Sequence, residues 1–255
     1  MSPSRTPLET ASRHALEALR RAIITGQLRP GSRVRQEDLA EWLGMSVAPV
    51  REALATLEQE GQVTYLPRRG YFVTELDIAD LEEIYELRRV LEDRAARRTL
   101  PTLDDDALER ISAAARDCVN AAAAGDVAAE LQANRRFHFA ILESPDQVHT
   151  MRLIRLLWDS TEACRAVYYN SPAERQRAVA AHDRILDALR ARDADRLVRE
   201  LDAHRERALV TLRRILGRTS SGADGQPGGG AQRAAGAAQR LDPRARPGPR
   251  RARRP

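Results

Sequence analysis

The spacing of apolar residues changes twice along the chain. From Ser12 to Thr25 and from Glu37 to Leu57 they recur mostly every three or four residues, as in amphipathic helices. The segment GQLRPGSRV between these stretches predicts a turn and a short first strand. The segments QVTYL and YFVT, within residues 62–74, are instead rich in the β-branched and aromatic residues of strands. Helical spacing returns at Ile78 and continues to Leu216. The pattern predicts a mainly α protein, with helices and short strands at its N-terminus followed by an all-α antiparallel helical bundle.

Two short helices joined by a tight turn are predicted between residues 37 and 57. Gly44 can adopt the left-handed conformation that ends the first helix. Ser46 is expected to cap the second, which begins at about Val47, by accepting a hydrogen bond from its free amides. The core-facing residues of the second helix are Val50, Ala53, Leu54 and Leu57. Arg51 lies on the opposite, exposed side, so the segment is predicted to be a helix-turn-helix.

A basic turn, PRRG, joins the two predicted strands and contains Arg68, Arg69 and Gly70. A strand pair in this position turns the helix-turn-helix into a winged helix. The string LAEWLGMSVAPVREALATLEQEGQVTYLPRRGYFV resembles the DNA-binding domain of the GntR family of bacterial transcriptional regulators. The resemblance implies binding to double-stranded operator DNA, with Arg68 and Arg69 reaching the minor groove or the backbone.

The resemblance also implies which residues of the recognition helix meet DNA. Arg51 keeps an arginine of the family, Gly70 keeps the glycine of the wing tip, and Ser46 is the serine of the turn. The family often has an arginine and then a threonine after this serine, where the present chain has Val47 and Ala48. Direct base reading at these two positions must therefore be weaker or different.

Arginines outside the recognition helix have two interpretations. Arg33 and Arg35, just before the helix-turn-helix, could contact phosphates, which position a protein on DNA without reading its sequence. They could equally be plain surface arginines. Arg51 likewise has an alternative, as a solvated partner of Glu52 on an ordinary helical hairpin.

Six helices are predicted after a domain boundary near residue 75. The first, with Asp77 as its N-cap, runs to Thr99. The others are expected at about 104–124, 127–142, 146–169, 173–192 and 194–216. The predicted domains are a flexible N-terminus at residues 1–10, a winged helix-turn-helix at 11–75 and a helical domain at 76–217.

Positive charge is concentrated at the two ends of the chain. All 42 basic residues are arginine, and nine of them lie in residues 218–255, against two aspartates. Residues 1–74 contain ten arginines and eight acidic residues, so the positive part of the folded chain coincides with the helix-turn-helix. The Gly-, Ala- and Pro-rich segment 218–255 is predicted to be a disordered tail, which either lies on nucleic acid as a non-specific basic arm or is simply solvated.

Cysteine content and hydropathy indicate a soluble cytoplasmic protein. Cys118 and Cys164 provide neither a disulfide framework nor a CxxC site and are expected to be buried thiols. No apolar run reaches the length of a membrane span, and the N-terminus MSPSRTPLET lacks the apolar core of a signal peptide. No membrane partner is expected.

Three of the five histidines fall on three different predicted helices of the bundle. His138 has Asn134 one turn before it on the same face, and His182 and His204 lie on two further helices. Helical bundles build metal sites from such residues, although a lone histidine on a helix is more often an ordinary core or surface residue. The sequence after the winged helix resembles the FCD ligand-binding domain of the FadR subfamily, which carries three His and one Asp or Asn, and the resemblance identifies these four residues as metal ligands.

Three neutral imidazoles suit a divalent first-row ion, with zinc as the first choice and nickel or manganese as alternatives. The neutral amide of Asn134 predicts a weaker or more exchangeable ion than an aspartate would. The uncompensated charge would favour a small carboxylate effector. Arg88 matches a family arginine that could hold this carboxylate, and its alternative is an ion pair with Glu92 on the helix surface.

These observations predict a transcriptional regulator, in the first instance a repressor, that binds a palindromic operator as a homodimer and responds to a small organic acid. Two alternatives remain at this stage. One is a metal-dependent hydrolase, for which Asp183 is the only candidate general base beside the histidines. The other is a structural DNA-binding protein whose histidines are core residues.

Overall fold

Three helices and a three-stranded sheet form the N-terminal unit of the computed structural model, which describes residues 7–169 and 171–221. The elements are α1 (Pro7–Ile24), β1 (Arg33–Val34), α2 (Gln36–Leu43), α3 (Val47–Gln59), β2 (Val63–Leu66) and β3 (Gly70–Val73). The strands are antiparallel in the order β1, β3, β2. The prediction of a winged helix is confirmed, although α1 begins at Pro7 rather than at Ser12.

The core of this unit lies between the helices, since α1 and α2 both pack against α3. Leu19, Leu39, Leu54 and Leu57 are fully buried there. Gly44 ends α2 with φ 68°, as predicted. Ser46 is the N-cap residue of α3, as predicted, with an extended backbone (φ −72°, ψ 164°), but the predicted hydrogen bond is wrong because its side chain accepts none from the amides of α3.

A second compact unit begins at Leu76. Its helices are α4 (Ile78–Thr99), α5 (Asp105–Ala124), α6 (Val127–Leu142), α7 (Val148–Ser160), α8 (Glu162–Tyr169), α9 (Pro172–Arg190) and α10 (Ala194–Ser221). Asp77 accepts a hydrogen bond from the Asp80 amide, and Asp80 in turn accepts one from the Asp77 amide, so the predicted N-cap is confirmed as a capping box. The predicted tail lies outside the described residues from residue 222 onward, as do residues 1–6.

The single helix predicted for residues 146–169 is wrong. A 3-10 turn at Pro145–Gln147 precedes α7, and Thr161 separates α7 from α8. The Thr161 hydroxyl donates to the carbonyl oxygens of Leu157 (3.1 Å) and Trp158 (3.3 Å). A hydroxyl that bonds back to helix carbonyls in this way competes with the regular backbone pattern. Seven helices therefore make up the described part of this unit, where the sequence predicted six.

The core of the helical unit contains residues of α4, α5, α6, α7, α9 and α10, and its fully buried large side chains include Phe137, Ile141, Met151 and Trp158. Cys118 is a buried free thiol, and Cys164 is a half-buried one. No helix among residues 7–169 and 171–221 is both long enough and apolar enough to cross a bilayer.

One carboxylate is buried at the start of α6 with little compensation. Glu130 is almost fully inaccessible, its Oε2 has no hydrogen-bond partner among the described residues, and the Arg175 Nε from α9 lies 3.8 Å from that oxygen. Burial raises the pKa of Glu130 to about 7, and Arg175 opposes this rise only in part. Glu130 is therefore a source of pH-dependent stability.

We expect Glu130→Gln to stabilise the protein in a pH-dependent way. Because the folded-state pKa lies above the ordinary value, the folded wild-type protein holds a proton that the unfolded chain has lost, and its stability falls as the pH rises from about 4.5 to about 7. The variant should gain roughly 2–3 kcal/mol more over wild type near pH 8 than near pH 5. Denaturant unfolding followed by circular dichroism measures this difference.

The exposed Glu109→Gln variant is the control and should behave like wild type at both pH values. An equal effect of Glu130→Gln at both pH values would show that the carboxylate titrates normally in the folded protein.

Candidate functional site

The N-terminal end of α3 presents the residues that the sequence predicted for DNA contact. Ser46 and Arg51 are exposed, Val47 is 37% exposed and Ala48 is half-buried. Arg51 forms no ion pair within the described part of the chain, and its sequence neighbour Glu52 accepts a hydrogen bond from the Ser12 hydroxyl instead. The structure therefore leaves the Arg51 guanidinium available, in contrast to the alternative in which Glu52 pairs with it.

The wing places its arginines in a tight hairpin turn. Arg69 N donates to Leu66 O (2.9 Å), and Arg68 has a positive φ of 65°, which few non-glycine residues adopt. Both arginine side chains are exposed, and the Arg69 Cζ lies 5.2 Å from the centre of the Phe72 ring. These contacts hold the basic turn at the end of the β2–β3 hairpin.

The remaining residues predicted for DNA contact are Gly70, Arg33 and Arg35. Gly70 has φ 88°, a conformation that favours glycine, and a β-carbon there would lie 3.8 Å from the Arg33 Nη2. Arg33 therefore lies beside the wing. Arg35 is exposed at the N-cap position of α2.

The three bundle histidines come together inside the helical unit. His138 is on α6, His182 on α9 and His204 on α10, and one ring nitrogen from each lies within 4.8 Å of the others. The side chains of His138 and His182 are 2% exposed, and that of His204 is 8% exposed. Asn134 is buried one turn before His138 on α6. Residues 66 positions apart in the sequence are thus close enough to share one ion.

Five buried polar atoms of this cluster lack hydrogen-bond partners among the described residues. Both ring nitrogens of His138 and His182 and the Oδ1 of Asn134 are buried with no hydrogen bond to any described residue. Burial and the neighbouring histidines hold the pKa of His138 far below its ordinary value, and burial with His204 does the same for His182. The pKa of His204 falls to about 3, mainly because of burial and the nearby arginines.

Neutral imidazoles have free lone pairs, which are the donors that a borderline divalent ion requires. Buried polar groups normally find partners, so this concentration of unsatisfied donors and acceptors fits a metal ion held by His138, His182, His204 and Asn134. The residues present therefore fit the ion that the sequence predicted.

Arg88 forms the predicted pair with Glu92, but the pair is buried rather than on the helix surface. The Arg88 Nε donates to Glu92 Oε1 (2.8 Å), Trp158 Nε1 donates to the same oxygen (2.7 Å), and Arg205 Nη1 donates to Oε2 (2.9 Å). Burial alone would raise the pKa of Glu92, but Arg88 and Arg205 outweigh it and keep the pKa below its ordinary value. Arg88 therefore already has an anionic partner.

A small cavity of about 20 Å³ borders the histidine cluster. Its lining includes Tyr85, Arg88, His138, Trp158, Arg165 and His204. Trp158, Arg165 and Arg205 were not among the predicted site residues. The position of Arg205 directly after His204 was the one available signal in the sequence. The position of Arg165 beside the cluster depends on the break at Thr161, which was not predicted.

A larger depression of about 350 Å³ lies between α5 and α9 and reaches His182 from another side. Arg116, Asp183 and Arg190 are among its lining residues. Asp183, the candidate base of the hydrolase alternative, is exposed, whereas the ring nitrogens of the three histidines converge inside the bundle.

Comparisons with known proteins agree with this division into two units. Residues 11–73 match the family described as bacterial regulatory proteins, gntR family, and residues 83–207 match the FCD domain. An HTH-type transcriptional regulator of Agrobacterium vitis, from the TAR-I ttuE-ttuC' intergenic region, is 38% identical over 128 residues, which cover 49% of this chain and 74% of the relative. The Escherichia coli regulator McbR is 29% identical over 179 residues, covering 69% of this chain and 81% of McbR.

A solved structure of E. coli McbR/YncC has a TM-score of 0.70 to this chain at 26% identity, covering 80% of this chain and 98% of that structure. The relatives are transcriptional regulators and not enzymes, so the hydrolase alternative is set aside. A DNA-binding winged helix, a matching FCD domain and these relatives lead to one conclusion: the chain belongs to the GntR family of DNA-binding transcriptional regulators.

Proposed function

We propose that the protein is a repressor that binds a palindromic operator as a homodimer and is controlled by a small carboxylate effector at a divalent metal site. The observation that carries the sensing part is the cluster of three buried, neutral imidazoles whose ring nitrogens converge within 4.8 Å. Buried polar groups normally have hydrogen-bond partners, so several unsatisfied nitrogens close together in a packed core indicate a ligand site.

The metal ligands are His138, His182 and His204, with the Asn134 oxygen as a fourth. Zinc is the first choice, and nickel or manganese are the alternatives. When bound, the ion supplies a positive charge that attracts a carboxylate. The four ligands contribute no negative charge of their own, so the effector's anionic group would balance the ion.

The DNA contacts follow from the exposed arginines. Arg51 contacts a base edge or a phosphate in the major groove, while Arg68 and Arg69 reach the minor groove or the backbone. Arg33 and Arg35 contact phosphates. Val47 and Ala48 offer small apolar surfaces, which suit a thymine methyl group better than the hydrogen-bonding edge of a guanine.

An apolar surface on α4 and α7 supports a homodimer. Leu87 and Val90 on α4, and Leu153 and Leu156 on α7, are exposed. Arg94 bonds to Thr150 and Arg98 to Asp146, so the two helices run antiparallel. This arrangement puts the two apolar pairs side by side, and one such surface meeting its copy about a two-fold axis would cover both.

Dimerisation would give the protein two DNA-binding domains for two half-sites, which is what a palindromic operator requires. Effector binding at the metal would alter the helical domains and so change the spacing of the two DNA-binding domains. Coupling of this kind is typically worth ~1–3 kcal/mol.

The metal site is tested by the double variant His138→Ala, His182→Ala. We expect the wild-type protein, purified without a histidine tag, to carry one divalent ion per chain, and the double variant to lose it because two of three imidazole ligands are gone. Elemental analysis by mass spectrometry gives the stoichiometry. His149→Ala removes an exposed histidine and serves as the control. Full metal content in the double variant would place the ion elsewhere.

Removing the exposed guanidinium of α3 should weaken DNA binding. We expect Arg51→Ala to lower affinity for an in-vitro-selected operator by ~1–3 kcal/mol and to relax its specificity if Arg51 contacts a base. Fluorescence anisotropy at several salt concentrations measures both effects. The control is Arg110→Ala, which removes the same charge from an exposed position of α5 in the other unit. Unchanged affinity and specificity for Arg51→Ala would refute its role in recognition.

The α4–α7 surface can be tested by introducing charge. Leu153→Glu should convert the dimer into a monomer because an interface that buries an unpaired carboxylate is penalised. Light scattering after size-exclusion chromatography gives the mass. Val210→Glu, at an exposed apolar position of α10, is the matched control. A Leu153→Glu protein that stays dimeric would exclude this surface as the interface.

A further inference from the structure

Arg165 is a buried cation with most of its donors unused. It lies on α8, its side chain is 5% exposed, and its Nη2 donates to the Trp158 carbonyl oxygen (3.0 Å). Its Nε and Nη1 are buried without a hydrogen-bond partner among the residues that the structure describes. A guanidinium has five donors, and leaving a buried one unpaired is costly.

The other two buried arginines beside the histidines have anionic partners. Arg88 bonds to Glu92, and Arg205 bonds to Glu92, Asp93 (2.6 Å) and Asp202 (3.1 Å), although its Nε is unpaired. Arg165 forms no such ion pair within the described chain, although the charge of half-buried Glu162 acts to raise its pKa.

The tyrosines that face this cavity supply no negative charge. Burial raises the pKa of Tyr85, Tyr168 and Tyr169, so these phenols stay neutral. Burial and nearby Arg88 lower the pKa of Arg165, but a guanidinium has so high an ordinary pKa that it remains charged. Arg165 is therefore the arginine of this cavity with no carboxylate hydrogen-bonded to it among the described residues.

Trp158 connects this charge to the histidines. The Arg165 Cζ lies 4.3 Å from the centre of the Trp158 indole ring, and the ring centres of Trp158 and His138 are 5.2 Å apart. Both residues line the same cavity. One small organic molecule lying along the indole could therefore reach both.

We propose that Arg165 binds a second acidic group of the effector, so that the effector is a dianionic organic acid with one acidic group directed to the metal ligands and the other to Arg165. This inference rests on the proposed metal-dependent sensing function. With neutral ligands around a divalent ion, the cavity would hold two cationic groups that no carboxylate of the described chain contacts, the ion and Arg165. A dianion can place one acidic group at each of them, which a monoanion cannot, and a guanidinium binds a carboxylate through two parallel hydrogen bonds.

The present cavity of about 20 Å³ has room for an ion or a water molecule only. An organic acid must therefore displace side chains as it enters. Arg165 has a single hydrogen bond to release, whereas Arg88 and Arg205 are tied to carboxylates. Arg165 is thus the arginine that can reorient towards a ligand at the lowest cost.

The first arm of the test needs no ligand. In metal-free protein, Arg165→Gln should give a melting temperature equal to or higher than that of wild type, because it removes a buried unpaired charge. Arg205→Gln, the control, should melt at a lower temperature because it leaves Glu92 and Asp93 without their shared partner. A decrease for Arg165→Gln like that of the control would show that Arg165 is a paired structural residue, and would overturn the inference.

The second arm measures ligand preference in zinc-loaded protein by calorimetry and thermal shift. The probes are malonate, succinate, glutarate and phthalate, each compared with a monoacid of similar size: acetate, propionate, butyrate or benzoate. Wild type should bind at least one diacid about tenfold or more tightly than its monoacid. Arg165→Gln should lose this preference while retaining its zinc, and Arg165→Lys, which keeps the charge, should retain part of it.

The outcomes separate the two proposals. If acids bind only with zinc present but Arg165→Gln leaves their order of affinity unchanged, the role of Arg165 is wrong and the metal-dependent sensor stands. If no acid binds zinc-loaded wild type any better than it binds Arg165→Gln, the inference is wrong. If diacid preference depends on Arg165 but persists after zinc is removed, the anion site exists and the metal is not part of sensing.

Discussion

Glu92 is a carboxylate buried inside the helical unit, and three donors hold it there. Arg88 lies one turn earlier on α4, Trp158 comes from α7 and Arg205 from α10. Removing one partner of a buried ion pair typically costs about 3–5 kcal/mol, because the remaining charge has no compensation. The anion therefore fixes three helices relative to one another, and it does so beside the histidines, since Trp158 packs on His138 and Arg205 directly follows His204.

The polar groups around this anion divide into two kinds. Around Glu92 nearly every charge is matched, whereas the ring nitrogens of His138 and His182, the Asn134 oxygen and two donors of Arg165 are unmatched. A folded chain can retain such a group of unsatisfied atoms only if the surrounding packing is stable without them. The matched anion and the apolar core provide that stability, and the unmatched atoms are left for binding.

The parts of the structure that depend on local signals could be predicted from the sequence. Gly44 ends a helix by its own conformational freedom, Asp77 caps the next domain by reaching an amide three residues away, and Asn134 and His138 share a face because a helix repeats every 3.6 residues. Ser46 holds the predicted N-cap position, but the predicted hydrogen bond is absent because the residue type permits such a bond without requiring it.

Long-range pairing could not be predicted in the same way. Glu92 and Arg205 are joined across 113 positions, and nothing near either residue indicates the other. The sequence could suggest a pair between Arg88 and Glu92 from their spacing, but not that the pair is buried. The break at Thr161 was not predicted because threonine occurs within many helices, and without that break nothing indicated that Arg165 belongs to the site.

The break at Thr161 has a consequence for the speed of response. α8 has only eight residues and joins α7 through a turn rather than a continuous helix, so it can loosen without unwinding its neighbours. If an acid enters a cavity of about 20 Å³ only after such loosening, the rate of capture reaches a ceiling set by the opening of the protein. Raising the acid concentration beyond that point would no longer speed its capture.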